Sequence, residues 1–585
     1  MIIFSIRKPY LYDTPFRPIE EWVWLLNTSI SPTYTEPTEY TTLGYVFEGY
    51  NTEPVIIGNV FIDAISYQEE DSISECRAEE KSYYYDAVGQ LLYVHVDHTK
   101  RLDSSDIDTQ ALYGFSSESV FYDENNIEYL PYVAQNIKIR ETADRLVYNK
   151  IAFSGQNLKL DNRNGEFDEF YDNPTPGSDV EYKFIKSDDV RKGLKTLTDI
   201  FVGYVYDDYL SRDSYGITVK DKREQLSQTW PTTTFELADY PDIDDKLVGD
   251  IIPDGFGSFP AYLPAICTNG ATITGDIVYK YGNAGATSSS PTFQLYIDKL
   301  WTDITPTSYD YPNAEITVAT GDGRDTNGVP YDARVKDINM REGLANAVTI
   351  LKEIMELAGY PYTPEIWDTT KVDQEETSYL SWQVALYTNK EKPFFDYIEE
   401  IQGGGIYGFR LSYNANRKWT IQCDVLNRAV SAEYLYTDNI NDIMATPRDL
   451  TEYATSVEVD YGYSPESKKW ITAVDDSREV EIFNTYRVYQ KIKYTSMLTD
   501  STGADAKTDH IAEDYAIARG QISFTLDEIK PHMLYDVITV DTSVYRLGVK
   551  VREYLGVRKI KLSYIEYDFG EETTTLQGYD ITEVV

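Results

Sequence analysis

Residues 151–170, IAFSGQNLKLDNRNGEFDEF, decide how the chain is read. Leu158 and Leu160 alternate with polar neighbours, as a half-buried strand requires. Asp161-Asn162-Arg163-Asn164-Gly165 then breaks the alternation. Asn-Gly takes positive φ at little cost, so Asn164-Gly165 predicts a tight hairpin turn of type I′. Phe167 and Phe170 follow, and alternation returns at Val180, Tyr182 and Phe184. A third run, within Leu197–Tyr206, contains IFVGYVY, and a fourth, Gly216–Asp221, reads GITVKD. Short apolar runs separated by turn residues predict a β-meander or part of a barrel.

The whole chain has 585 residues, too many for one hydrophobic core, so several domains are expected. Its 52 tyrosines favour strands and half-wet surfaces, which points to β-rich domains with wide interfaces. Acidic residues number 97 against 53 basic, a net charge of −44. Such a chain repels nucleic acid and anionic membrane at neutral pH. Cys76, Cys267 and Cys423 form no short-spaced pair, which argues against a disulfide framework or a zinc site. Ile2–Ile6 is too short an apolar run before Arg7-Lys8-Pro9 for a secretory leader, so none is expected. No window approaches the length of a membrane span.

Before the opening stretch, Trp22–Leu26 (WVWLL) reads as a core or interface strand, residues 55–65 as a strand pair around Gly58, and residues 91–98 (LLYVHVDH) as a strand. His95 and His98 stand three apart on that strand, facing opposite sides, and do not share a metal. After the opening stretch, Pro253, Pro260 and Pro264 with Gly249, Gly255 and Gly257 deny residues 247–267 a helix. Strands resume from Ala271 to Val318. The loop GDGRDTNGVPYD, 321–332, offers Asp322, Asp325, Asn327 and Asp332, but at a spacing that fails the EF-hand pattern. A solvated turn is the better reading there, and for the Asp161–Asp168 turn.

The strongest helix signal spans about Arg341–Ala358, where Leu344, Ala347, Val348, Leu351, Ile354 and Met355 recur at three- and four-residue steps. Gly359 ends it. A second helix is expected from Pro393 to about Ile401, broken by Gly403-Gly404-Gly405. A hairpin then pairs GFRLSY with KWTIQC across Asn414-Ala415-Asn416. The three glycines are no phosphate loop, since no Gly-Lys-Ser/Thr follows. Further on, residues 479–494 read as strand, 495–507 as a polar loop, His510–Arg519 as a helix, and the remainder as strands.

Several of these pieces, in this order, resemble the baseplate hub and tail-associated structural proteins of tailed phages. They are the Leu160–Asp168 turn, Phe201-Val202-Gly203, the Ile217–Asp221 strand end, Lys392-Pro393-Phe394, Trp419-Thr420-Ile421, and Tyr535–Val540 with its aspartate opening a strand. The resemblance covers most of residues 150–585, and residues 1–150 only loosely. It implies a mainly β chain with α/β insertions: several barrel-like or sandwich domains plus a small helix-hairpin domain. The expected regions are 1–235, an N-terminal barrel-like region; 236–340, a linker and β domain; 341–450, an α/β domain of two helices and a hairpin; and 451–585, a C-terminal barrel-like domain.

The resemblance further implies a tail-tip hub. Two related barrel-like domains per chain form a homotrimeric ring that continues the six-fold tail tube and helps DNA pass into the host. Its partners are other tail proteins: tail tube, distal tail, tape measure and receptor-binding proteins. The chain is expected to be made in the host cytoplasm and to reside in the virion. Specific nucleic-acid binding and stable membrane insertion are not expected. No Gly-x-Ser-x-Gly elbow or His-Glu-x-x-His helix occurs, and acids are too abundant for any carboxylate pair to stand out. The chain therefore is expected not to be an enzyme, and no catalytic, cofactor-binding or metal residue is assigned. Some hub-like proteins carry a wall-degrading domain after the hub region; here the sequence ends with that region, which adds to the expectation of a structural role. The competing readings are a glycan-binding or glycan-cleaving surface or secreted protein, and another tail adaptor.

Overall fold

A computed structural model describes strand backbone within residues 2–115 and, with internal gaps (144–150 and 447–453 among the longer), residues 116–582. The stretch Trp22–Leu26, together with Cys76 and His98, lies outside the described residues. The architecture is mainly β, with several sheets and few helices.

Strand Gln156–Asp161 points Leu158 and Leu160 inward and Asn157 and Lys159 outward, as the alternation requires. It is the end strand of a 12-stranded sheet that continues through Ser214–Asp221, Thr198–Leu210, Asp179–Phe184, Ile2–Tyr10 and Ile107–Ser116. Leu158 lies opposite Ile217, and Leu160 opposite Tyr215. In Phe201-Val202-Gly203 the glycine is dictated by close approach, because a Cβ there would meet the Lys220 carbonyl oxygen at 2.5 Å.

The expected type I′ hairpin at Asn164-Gly165 is not formed. Gln156–Asp161 pairs with a strand more than fifty residues later, not with the next one. Within residues 162–165 only Gly165 has positive φ (77°), and it stands at the fourth position of a turn closed by its N–H onto the Asn162 carbonyl at 2.9 Å. The buried Asn162 side chain shapes this corner. Its Oδ1 accepts the Phe167 N–H at 2.8 Å, and its Nδ2 donates to Asp168 Oδ1 at 3.0 Å and the Ser211 carbonyl at 3.2 Å. Phe167 and Phe170 are thereby turned onto Tyr215, with ring centroids 5.5 and 5.1 Å away.

A second, 8-stranded sheet mixes the two ends of the chain: Ile151–Phe153, Lys138–Ala143, Val557–Asp568, Thr573–Asp580, Gln521–Leu526 and Ile440–Thr446 in order. Val537–Asp541 joins Val557–Asp568 and runs parallel to Val430–Tyr434. One hydrophobic core fills the space between this sheet and the first, from Leu160, Tyr182 and Ile217 to Phe524, Ile538 and Leu576. That core crosses the region boundaries expected at 235 and 451. It forms because each sheet has one apolar face, and the two faces cover each other.

Further units lie between these halves in the sequence, among them the following two. A seven-stranded sheet, Leu300–Asp303 through Ser308–Asp310, has its own core around Tyr279, Phe293 and Val335. A helical unit packs helices Ala347–Leu357, Thr369–Tyr379 and Phe394–Gln402 with the hairpin Phe409–Tyr413/Trp419–Cys423 around Trp367 and Trp419. The first helix starts at Ala347 rather than Arg341. Strand Ile338–Met340 runs up to Arg341, which holds a positive φ of 47°, and Asn346 caps the helix by accepting the Thr349 N–H at 2.8 Å.

Helix Thr369–Tyr379 was not legible, because Val372 and Glu375 are its buried residues and leave no apolar stripe. Residues 501–516, expected as loop and partial helix, form one helix whose sequence is mostly polar. Residues 479–486, expected as strand, also form a helix, and strand Lys491–Thr495 follows. Val480 and Ile482 alternate with glutamates there, a pattern too short to separate the two periods.

Candidate functional site

The most heavily constructed polar feature among the described residues is the seam where the helical unit meets the two β halves. Arg410, on the inner hairpin and 3% exposed, donates two hydrogen bonds of 2.6 Å to Glu141 of strand Lys138–Ala143. Arg417, at the hairpin turn, pairs with Glu181 of the first sheet. Lys561 of the second sheet reaches Asp424 at 2.5 Å, with both groups buried. The helical unit thus grips both sheets with buried or partly buried opposite charges, and where both groups are buried each partner requires the other.

A polar chain continues the seam. Lys371 Nζ donates to Gln422 Oε1 at 3.0 Å, and Gln422 Nε2 donates to Asp536 Oδ1 at 2.8 Å. Asp536 Oδ2 accepts the Met533 N–H at 2.9 Å and stands 3.6 Å from His532 Nδ1; His532 Nε2 meets the Tyr434 hydroxyl at 2.5 Å. Burial opposes the charge on Asp536, but hydrogen bonds from His532, Met533 and Gln422 outweigh it and hold the carboxyl below its ordinary value. Burial pushes the Lys371 ammonium down, against the pull of Asp536 and Glu375. Glu375 is likewise kept low despite burial, by two bonds from Arg428 at 2.7 and 2.8 Å and one from the Cys423 N–H at 2.9 Å. Every member of this chain is already engaged by another protein group, which suits a fixed joint rather than a reacting centre.

Gly403-Gly404-Gly405 is a second built feature. Lys507, fully buried on helix Ser501–Ala516, donates to the carbonyls of Gly403 at 2.5 Å and Gly405 at 2.6 Å. The glycines present carbonyls to a cation, the reverse of a phosphate loop, whose N–H groups face an anion. With no carboxylate among the described residues to offset desolvation, burial pushes Lys507 down to about 7.

Lys392-Pro393 forms a short strand pair with Thr229-Trp230, and Phe394 opens the next helix. Trp419-Thr420-Ile421 is a buried strand of the seam hairpin. Asp536 directly precedes strand Val537–Asp541 and carries the polar chain. Phe201, Gly203 and Ile217 serve the first sheet and lie outside the seam. Glu141, Glu181, Arg410, Asp424 and Lys561 were not found from sequence, since Arg410 and Glu141 are 269 positions apart and no local spacing marks such a pair. In the 321–332 loop, the Asp325 carboxylate accepts the N–H groups of Asn327 and Val329, both at 2.8 Å. Among the described residues no group of three His, Cys, Asp or Glu side chains is placed to hold a metal ion, and no helix is long and apolar enough to cross a membrane.

No family model matches the sequence, and no curated protein matches it either. Among solved structures the chain is similar to the 43 kDa tail protein of prophage MuSo2 from Shewanella oneidensis, at 10% identity and a TM-score of 0.33, over 77% of this chain and 95% of that one. It is similar to a tail protein from Neisseria meningitidis MC58, at 8% identity and a TM-score of 0.32, over 79% and 96%. It is also similar to a chain of the virion of a native gene transfer agent particle, at 11% identity and a TM-score of 0.35, over 57% and 84%. At these TM-scores the likeness fixes neither an architecture nor an activity for this chain. These three are tail and virion proteins.

Proposed function

We propose that the chain is a structural protein of a phage tail tip, a hub of which three copies close into a ring continuing the tail tube. The observation that carries this reading is the single core shared by two β sheets, the second of which mixes strands from the N-terminal half with strands from the C-terminal end. Two β sheets packed face to face in each copy give a three-copy ring six such sheets, enough to meet a six-fold tube. The seam ion pairs support a rigid body of this kind, because they lock the helical unit against both sheets. The tail tube, distal tail, tape measure and receptor-binding proteins are its partners in this reading. A net charge of −44 suits a wall past which DNA slides without sticking. No step of the role is catalytic. Negative-stain microscopy of the purified protein, alone and with tail tube protein, tests the proposal. A three-fold ring with an open centre is expected, and a persistent monomer under both conditions contradicts it.

A further inference from the structure

Residues 468–476 read KKWITAVDD, with two lysines at one end and two aspartates at the other. Their strand, Lys469–Asp475, is an outer strand of a three-stranded sheet. Among the described residues it pairs on one side only, antiparallel to Ser456–Ser464, with Lys491–Thr495 beyond that neighbour. Its other edge presents unpaired backbone N–H and C=O groups, a template for a further strand. The same strand exposes three large apolar side chains: Trp470 at 38%, Ile471 at 55% and Val474 at 53%. Trp470 is held in place by Tyr463, with ring centroids 4.6 Å apart. Lys468 and Lys469 are exposed and, among the described residues, have no ion-pair partner in their own chain.

The order of the residues picks the partner. Laid antiparallel against a second copy of itself with Thr472 on the two-fold axis, the strand sets Lys469 opposite Asp475, Trp470 opposite Val474 and Ile471 opposite Ala473. One step further out, Lys468 stands opposite Asp476. Every charge then meets its opposite and every apolar side chain an apolar one, the pairs that stabilise neighbouring strands. A slip by two residues is the smallest that keeps the same backbone groups facing. It sets lysines or aspartates against apolar side chains. Edge lysines ordinarily block pairing with foreign strands; here the aspartates lift that block for one strand in one register. Duplex DNA would welcome the lysines but meet the aspartates on the same short edge, and a strand of another protein would have to carry this pattern itself. We propose that the Lys469–Asp475 edge pairs with itself, joining two copies of the chain about a two-fold axis at Thr472 so that their three-stranded sheets become one. The pairing does not depend on the ring proposed above. It makes a dimer of single copies, and it joins two three-fold rings without disturbing their axis. The strand is short, so the contact is weak and follows concentration.

Sedimentation velocity of the full chain over a concentration series tests it, together with cysteine cross-linking. The expected result is a reversible doubling of mass as concentration rises. Lys469→Glu sets like charges against each other at both symmetry-related contacts and weakens the dimer by about tenfold or more, with the melting temperature unchanged. Adding Asp475→Lys to that variant exchanges the two charges and restores the native affinity. Thr472→Cys, oxidised in air with a copper catalyst, gives a band of two chains on a non-reducing denaturing gel, because residues directly opposite in antiparallel strands lie within disulfide reach. That band forms whether or not three copies also close into a ring, so the two proposals fail separately. Ser477→Cys, also exposed but five positions from the axis, gives no such band. Four results overturn the proposal: no doubling at the highest soluble concentration, a dimer indifferent to Lys469→Glu, a loss that Asp475→Lys does not reverse, or Ser477→Cys cross-linking as readily as Thr472→Cys.

Discussion

Arg410 and Glu141 are 269 positions apart and meet through two parallel hydrogen bonds of 2.6 Å, joining the inner hairpin of the helical unit to a strand of the second sheet. Fork-to-fork geometry is the strongest arrangement these two groups have. The guanidinium is buried, so it has no water to fall back on if Glu141 is removed. Glu141→Leu is expected to destabilise the fold by about 3–5 kcal/mol, whereas Glu141→Leu with Arg410→Met recovers most of the loss. Urea denaturation of the two variants checks this. A single substitution no worse than the double one would show that the pair contributes nothing to the joint.

Asn162 gives the second prediction. Asn162→Ala leaves the buried Phe167 N–H without its acceptor and frees the Asp168 carboxylate. A loss of about 2–4 kcal/mol is expected. Gly165→Val, which forces a β-branched residue to a φ of 77° with Asp168 Oδ2 3.0 Å from the new Cβ, is expected to cost about 1–3 kcal/mol. Thermal melts of both variants rank them, and the account requires Asn162 to matter at least as much as Gly165.

Much of this corner was legible in the sequence and its decisive atom was not. Alternation at Leu158 and Leu160 gave the strand and its inward face, because burial on a pleated sheet repeats every second residue. Asn-Gly gave a turn at the right place. The direction of the chain after the turn depends on Asn162 reaching Ser211, 49 positions on, and no local propensity encodes that. The helix Ala347–Leu357 was legible from its apolar stripe, and Ser501–Ala516 was hidden by its polar composition. The seam was the least legible part, since its charged pairs look like any other surface charges until the fold brings them together. Asp536 was the exception, visible as the residue that opens a late strand.

Lys507 makes a pH prediction. Its folded value is about 7 against an ordinary 10.5, so between those two pH values the unfolded chain holds a proton that the folded chain lacks. The contribution of this lysine to stability is therefore most unfavourable below about pH 7 and becomes less so as pH rises to 10.5. The difference in unfolding free energy between the native chain and Lys507→Met is expected to be flat below that window. Within it the difference shifts in favour of the native chain by about 1.4 kcal/mol per pH unit at the steepest. Parallel denaturation series at several pH values measure it, and a difference independent of pH would refute the account of the buried ammonium.

The charge of the chain bears on the proposed passage. An acidic wall repels a duplex within a Debye length, about 8 Å at physiological salt. The assembled protein is expected to give no mobility shift with duplex DNA at about 50 mM salt, where non-specific attraction is strongest. A shift that weakens as salt rises would mean that a basic surface faces the DNA and that the acids serve solubility alone.

In the proposed assembly, two β sheets sharing one core make each copy a two-part segment of a three-fold ring. Cryo-electron microscopy of the purified protein together with a tail tube protein is the decisive test. The account predicts a three-fold ring in which each copy places both β sheets against the tube, giving six contacts around the axis. A closed assembly of any other symmetry, or one in which only one of the two sheets meets the tube, would contradict it.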